Sequence, residues 1–136
     1  MHGIARQELW SDAVDGTLIA GSFQCNAASN PLAATYRRGR YAPAWTVTYT
    51  ATGIYTVQFP ADFKLPSLAQ VIRAAAWPQW ATLATDWFEC APVGEYDTAN
   101  RRLVIQAHRN GVANAPAATA GNRINFALLL SQNDGK

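Results

Sequence analysis

Apolar and polar residues alternate most regularly in two short runs near the middle of the chain, residues 45–50 and 54–59. Successive side chains of a β-strand point to opposite faces, so a period of two built from aromatic and β-branched residues predicts a strand with one buried face. Ala51, Thr52 and Gly53 separate the runs and predict a tight turn. The chain therefore contains a β-hairpin, whose predicted core-facing residues are Trp45, Val47, Tyr49, Tyr55, Val57 and Phe59.

The N-terminal half predicts two further strands. The first runs from Thr17 to Phe23, is interrupted at Gly21 and leads into a loop whose Asn, Ser and Pro residues are typical of turns. Residues 34–41 predict a short exposed strand or hairpin before Pro43. Residues 1–15 show no clean period, and we interpret them as an N-terminal arm that precedes a domain at residues 16–136.

The stretch from Leu65 to Trp77 fits two patterns. Its leucines and isoleucine match a helical stripe that a proline could open. A period of two is also present, and because the rest of the chain is built of strands, we favour a strand. The residues that follow, Trp77 to Thr85, are expected to form a connection.

The C-terminal half predicts a second hairpin and a final strand. Residues 87–96 and 101–109 flank a turn at residues 97–100, and a loop rich in Ala, Asn and Gly follows. The last strand, residues 123–130, becomes apolar on both faces, as expected for a strand buried centrally between two layers or at a subunit contact. Many short strands with turns between them predict an all-β fold, an antiparallel β-sandwich of the jelly-roll kind.

Composition adds a hint about partners. The chain has 136 residues, which suits one domain, and 49% of them are hydrophobic while 15% are charged. Charged residues make up about a quarter of an average soluble chain. Apolar surface that contacts a partner would explain the difference, and the high alanine content is the alternative explanation.

Charge and cysteine content narrow the class of function. A net charge of +2 without a clustered basic face indicates neither nucleic-acid nor membrane binding. Cys25 and Cys90 lack the spacing of a zinc site, so they are either a disulfide pair or, as is more common, small buried side chains. The first residues lack the pattern of a signal peptide, and no apolar run reaches the roughly 20 residues of a membrane span. We expect a protein that is not exported by that route.

Catalytic candidates are few. His2 and His108 have no evident partner for general-base chemistry, and no nucleophile, phosphate-loop or metalloprotease motif is present. Carboxylate pairs of the kind used in glycoside hydrolysis are conceivable, although Asp at the start of a turn usually bonds the backbone. The expectation is a non-enzymatic protein without cofactor or metal. The carboxylates considered were Asp86 with Glu89 and Glu95 with Asp97.

Arginines and aromatic residues near the N-terminus are the candidate partner-binding residues. These residue types are enriched at protein interfaces. A charged edge strand that discourages edge-to-edge pairing would have the same composition, so both interpretations stay open. The candidates are Trp10, Tyr36, Arg37, Arg38, Arg40 and Tyr41.

Three segments resemble small structural proteins of tailed bacteriophages: ATGIYTVQFP at residues 51–60, GEYDTANRRLVIQAHR at 94–109 and GNRINFALLL at 121–130. The likeness extends from about Gly16 to Leu130. Within it, GIYTV at residues 53–57 is similar to the central strand of trimeric jelly rolls of the tumour-necrosis-factor type. The resemblance implies a virion component made in the host cytoplasm, such as a head decoration or head-fibre protein. It also implies a homotrimer that binds the major capsid protein or other virion proteins.

A different class of function is a receptor- or glycan-binding module of a phage tail fibre. Exposed tryptophans would stack on sugar rings in that case, whereas burial of the same residues in the core is the structural alternative. The tryptophans concerned are Trp77, Trp80 and Trp87.

Overall fold

The computed structural model describes residues 17–31, 35–38, 45–61, 69–79, 88–114, 116 and 122–132. The predicted N-terminal arm at residues 1–15 lies outside these residues. Every regular element within them is a β-strand. The strands are β1 (Thr17–Gln24), β2 (Thr35–Arg38), β3 (Thr46–Ala51), β4 (Ile54–Gln58), β5 (Ala69–Gln79), β6 (Phe88–Pro92), β7 (Arg102–Arg109), β8 (Val112–Ala113) and β9 (Arg123–Gln132).

The strands form two antiparallel sheets. Sheet 1 has the order β2-β1-β9-β5, and sheet 2 has the order β3-β4-β7-β6 with β8 paired to β7. The chain crosses from one sheet to the other after β2, β4, β5 and β8. This confirms the predicted antiparallel β-sandwich, and the repeated crossing is jelly-roll-like. The last strand lies centrally in sheet 1, between β1 and β5. It is not buried between two layers, because the outward residues Asn125, Ala127 and Leu129 are partly exposed.

Aromatic rings from both sheets join the sheets through one core. Phe23 of β1 lies 5.3 Å from Tyr55 of β4 between ring centroids, and Trp45 packs edge-to-face on Phe126 of β9 at 5.0 Å. Such pairs add to the burial of apolar area, which is the main stabilising term of a core. The remaining buried apolar residues are Ile19, Cys25, Val57, Phe59, Tyr96, Leu103, Ile105, Ala107, Ile124 and Leu128.

The hairpin predicted from the central alternation is present as β3 and β4. The core-facing residues of β4 and Phe59 just after it are fully buried, while the three threonines of β3 are exposed. Gly53 adopts a φ of 69° in the turn, and a Cβ there would lie 2.5 Å from the Asn114 carbonyl oxygen. Glycine is therefore required both by the backbone conformation and by the close approach of that segment.

Three local expectations need correction. Gly21 does not interrupt β1; a Cβ at this position would lie 2.5 Å from the Phe126 ring and 2.6 Å from Trp45, so glycine admits both rings against the strand. Residues 77–79 are not a connection but the end of β5, where Pro78 is tolerated because β5 is an edge strand. The loop after β7 contains the short strand β8.

The preference for a strand over a helix at Leu65 to Trp77 is confirmed from Ala69 onward. A β-bulge between Val71 and Arg73 shifts the register with β9. After the bulge, Ala74 and Ala76 pack against the core, and Arg73 and Trp77 are exposed.

Both cysteines are free thiols. Cys25 is fully buried and Cys90 is partly buried against the core. Burial raises the pKa of each thiol to about 12. Of the two expectations for these residues, the structure supports small buried side chains, because the two thiols are not joined and both pack against the core.

Candidate binding surface

The outer face of sheet 1 is unusually smooth. Strand register places Ala20 of β1 opposite Ala127 of β9, and Ala127 opposite Ala75 of β5, so three alanines form a row across the sheet. All three are partly exposed. We call this outward face the platform; its residues are Ala20, Ser22, Ala75, Trp77, Asn125 and Ala127.

The second row of the platform is formed by Ser22, Asn125 and Trp77. Trp77 has 47% of its surface exposed, the largest exposed aromatic side chain among the described residues. Because the neighbouring row consists of alanines, the Trp77 indole projects above an otherwise flat surface. Large side chains of this kind are the common anchors of protein interfaces and of sugar-binding sites.

Beside Trp77 lies an open cavity of about 390 Å³, whose walls include Ser22, Gln79, Arg123 and Asn125. Arg123 Nε donates a hydrogen bond of 2.8 Å to Ser22 Oγ, and Ser22 is only 9% exposed. This bond joins β9 to β1 on the outer face and fixes the guanidinium along the sheet. The cavity therefore combines an aromatic wall with hydroxyl, amide and guanidinium groups.

All charged residues in the strands of sheet 1 are positive. Its four strands contain arginines and no aspartate or glutamate. The acidic residues within the described ranges, Glu89, Glu95 and Asp97, all belong to β6 or to the β6–β7 connection. The four arginines of sheet 1 are Arg37, Arg38, Arg73 and Arg123.

The outer face of sheet 2 is different. Across its strands, Thr48 pairs with Thr56 and Thr56 with Val104, and the neighbouring row ends in Arg102. Glu89 of β6 lies opposite His108 of β7. Threonine, glutamine and charges of both signs are typical of a sheet face in contact with water.

The structure describes three of the six residues predicted to bind a partner. Tyr36, Arg37 and Arg38 lie on β2, the edge strand of sheet 1, in register with Ser22, Gly21 and Ala20. The expected short strand in this segment is therefore present, and its position at a sheet edge fits both interpretations of its charge. The other three predicted residues, Trp10, Arg40 and Tyr41, lie outside the described residues.

The platform itself was not predicted as a site. Each strand shows its own alternation in the sequence, but the alignment of three alanines depends on the register between β1, β5 and β9, which are far apart in the chain. The available signal was Trp77, which was named as a candidate for sugar stacking. Trp80 and Trp87 lie outside the described residues.

One carboxylate of the Glu95–Asp97 pair considered for catalysis is engaged in its own turn. Asp97 caps its turn: Oδ1 accepts from Asn100 N at 3.0 Å, and Oδ2 accepts from Asn100 Nδ2 at 2.7 Å and from Arg102 Nη2 at 3.2 Å. The bonds from Asn100 and Arg102 hold the pKa of Asp97 near 2. Glu89 and Glu95 are exposed, and Asp86 and His2 lie outside the described residues.

Within the described ranges, no group of three or more His, Cys, Asp or Glu side chains lies close enough together to hold a metal ion. A helix of the length and hydropathy needed to cross a bilayer is likewise not found in them.

Comparison with known proteins yields no relative: no family model, no curated protein and no solved structure matches the chain significantly.

Proposed function

We propose that this chain is a non-enzymatic structural protein of a tailed-phage virion, a decoration or head-fibre component that binds the assembled shell. Copies of it associate, as trimers by the resemblance stated above, through the platform of sheet 1. The observation that carries the proposal is the row Ala20, Ala127 and Ala75 beside the exposed Trp77. A smooth apolar face with one large anchor suits protein contact better than contact with water.

The physical role follows from the architecture. Two sheets joined by an aromatic core form a rigid body, so little conformational entropy is lost when the platform is covered. Each contact between this body and coat subunits adds buried area across a junction of the shell. Because only the assembled shell presents such a junction, binding stabilises the assembled state by mass action.

Purified shells that lack the protein test this proposal directly. Recombinant chain is added, and the particles are imaged by cryo-microscopy. We expect regular extra density with the wild type and with Val112→Ala, which truncates an exposed apolar side chain of sheet 2. Trp77→Ala weakens association of copies through the platform and is therefore expected to weaken the density strongly, because an associated protein attaches to the shell at several points at once. Shells that gain no density with the wild type would contradict the proposal.

A second function, glycan binding as in a tail-fibre module, is favoured by one specific observation. Trp77 is exposed beside the polar side chains of Gln79, Asn125 and Arg123. An aromatic face that stacks on sugar C–H groups, with amides for the hydroxyls, is a common arrangement for saccharides.

A glycan array separates the two functions. If the cavity binds a saccharide, the wild type and Trp77→Phe bind the same glycans, and Trp77→Ala binds none. If no glycan binds the wild type while shells do, the exposed indole serves protein contact instead.

A further inference from the structure

Arg101 has an unusual backbone conformation. It ends the turn between β6 and β7 with a φ of 57°, in the left-handed region that normally suits glycine or asparagine. The turn is firmly held: Gln58 Nε2 donates to the carbonyl oxygens of Phe59, Asn100 and Arg101 at 2.8–3.1 Å. An arginine kept in a strained position within an ordered turn points to a use for its side chain.

The side chain of Arg101 is also poorly satisfied. Its Nε atom is buried and has no hydrogen-bond partner among the described residues. A guanidinium has five N–H donors, and leaving one of them buried without an acceptor is unfavourable. Arg101 as a whole is only half-buried, so the rest of its side chain stays open to an acceptor from outside.

A ligand has room to reach Arg101. An open cavity of about 400 Å³ lies where β4 ends and β7 begins, and its walls include Gln58, Pro60, Asn100, Arg101 and Arg102. Two of these wall residues, Arg101 and Arg102, are charged, and both are positive. This cavity lies at an end of sheet 2, apart from the platform.

Among the described residues, the neighbouring ionisable groups do not neutralise Arg101. Asp97 accepts hydrogen bonds from Asn100 and Arg102, and the described contacts give it none from Arg101. Tyr96 is 7% exposed, and its hydroxyl has no partner among the described residues. Burial raises the pKa of Tyr96 to about 12, and the positive charge of Arg101 acts in the opposite direction. Arg101 is thus a half-buried cation for which the described residues supply no carboxylate partner.

We propose that the cavity at the end of sheet 2 is a carboxylate-binding site in which Arg101 is the principal binding residue. The carboxylate is carried either by a small acid or by an aspartate or glutamate of a partner protein. A carboxylate offers two oxygens in the plane of the guanidinium, the geometry in which Arg binds most specifically. The site does not depend on the platform or on the proposed function.

Titration by ¹⁵N NMR tests the site through the Nε–H resonance of Arg101. The probes are sodium acetate, neutral acetamide and a capped glutamate-rich peptide. We expect a saturable shift with acetate and with the peptide, and none with acetamide. Tighter binding of the peptide identifies a protein partner as the source, and equal binding identifies a small acid. A shift that does not saturate, or that acetamide reproduces, would overturn the proposal.

Matched variants locate the effect. Arg101→Gln is expected to weaken acetate binding, followed by backbone amide shifts, about tenfold or more, the factor for loss of one charge-assisted hydrogen bond. Arg73→Gln removes an exposed arginine of sheet 1 and is expected to leave binding unchanged. Equal weakening by both variants would mean nonspecific attraction and contradict the site.

Arg101→Gly separates a binding role from a structural one. Glycine relieves the left-handed backbone and removes the buried Nε, so the variant is expected to melt at a higher temperature than the wild type without acetate. Added acetate is expected to raise the melting temperature of the wild type and not that of Arg101→Gly. A variant that melts lower than the wild type would show that the side chain serves the fold, against the proposal.

Discussion

The two sheets of the sandwich share one core, but their outer faces carry different kinds of residue. On sheet 1, alanines line up across β1, β9 and β5 beside Trp77, and the strands contain no acidic residue. On sheet 2, Thr48 and Thr56 lie side by side, and Glu89 lies opposite His108. Both inner faces are built from the same kinds of aromatic and aliphatic residues. The difference is therefore confined to the surfaces that a partner would meet.

This contrast identifies which face is suited to contact. Threonines and charges of both signs interact well with water, so covering sheet 2 would require many polar groups to lose their hydration. Alanines lose little on burial and allow close approach, and Trp77 contributes a large apolar area.

The largest effect is expected from a charge placed at the centre of the platform. Ala127→Arg puts a guanidinium between Ala20 and Ala75, where contact between copies would bury it beside other arginines. Like charges at an interface cost several kcal/mol, so we expect association to weaken by about 3 kcal/mol, roughly 100-fold. Sedimentation equilibrium measures the change.

Thr56→Arg is the matched control for that variant. Thr56 has the corresponding position on sheet 2, in a middle strand with a neighbour on each side. Its substitution is expected to leave association unchanged. If Thr56→Arg disrupts assembly and Ala127→Arg does not, the roles of the two faces are reversed.

A smaller effect is expected from a change beneath the platform. Gly21→Ala places a methyl group 2.5 Å from the Phe126 ring, and both β1 and the ring must shift. Overpacking of this kind destabilises by about 2 kcal/mol, which urea unfolding would detect.

Gly111→Ala serves as the comparison for Gly21→Ala. Gly111 has a φ of 82° in the β7–β8 turn of sheet 2, and a Cβ there meets nothing within 4 Å. The cost is then conformational alone, about 1 kcal/mol. Equal losses for the two variants would mean that β1 yields easily and that the platform is not rigid.

The smallest effect is expected for Asp97, whose ionised carboxylate stabilises the turn between β6 and β7 of sheet 2. Its hydrogen bonds lower the pKa from 3.8 to about 2, so the ionised form is favoured in the folded state. The stabilisation is complete above the ordinary pKa and is lost as the pH falls from about 4 towards 2. Asp97→Asn is expected to be less stable than the wild type at pH 6 and equally stable near pH 2, by urea unfolding at each pH. A difference that does not change with pH would show that the charge contributes nothing.

Local patterns predicted most of the fold. The alternation around Val47 and Val57 located the central hairpin, and the apolar pattern of residues 123–130 located the last strand. The predictions from sequence were wrong where a tertiary contact overrode a local structural preference. Gly21 suggested a break because glycine weakens isolated strands, whereas in the fold it makes room for Phe126. Pro78 suggested a connection, yet an edge strand accommodates it.

The candidate sites were less accessible to sequence reasoning. Ala20, Ala75 and Ala127 are unremarkable one by one, because only the register between distant strands aligns them. Arg101 is one of several arginines in the sequence, and neither its left-handed φ nor its buried Nε has a sequence signature. Sites made from sheet register or from a turn conformation become visible only after folding.

The most direct test of the proposal that copies meet through the platform is hydroxyl-radical footprinting at low and at high protein concentration. Trp77 reports on the platform, and Val112, 68% exposed in the short strand β8, is the reference position away from it. Burial of the platform predicts that oxidation of Trp77 falls sharply in the associated protein while oxidation of Val112 stays constant. An unchanged rate at Trp77, or protection of Val112 instead, would contradict the account.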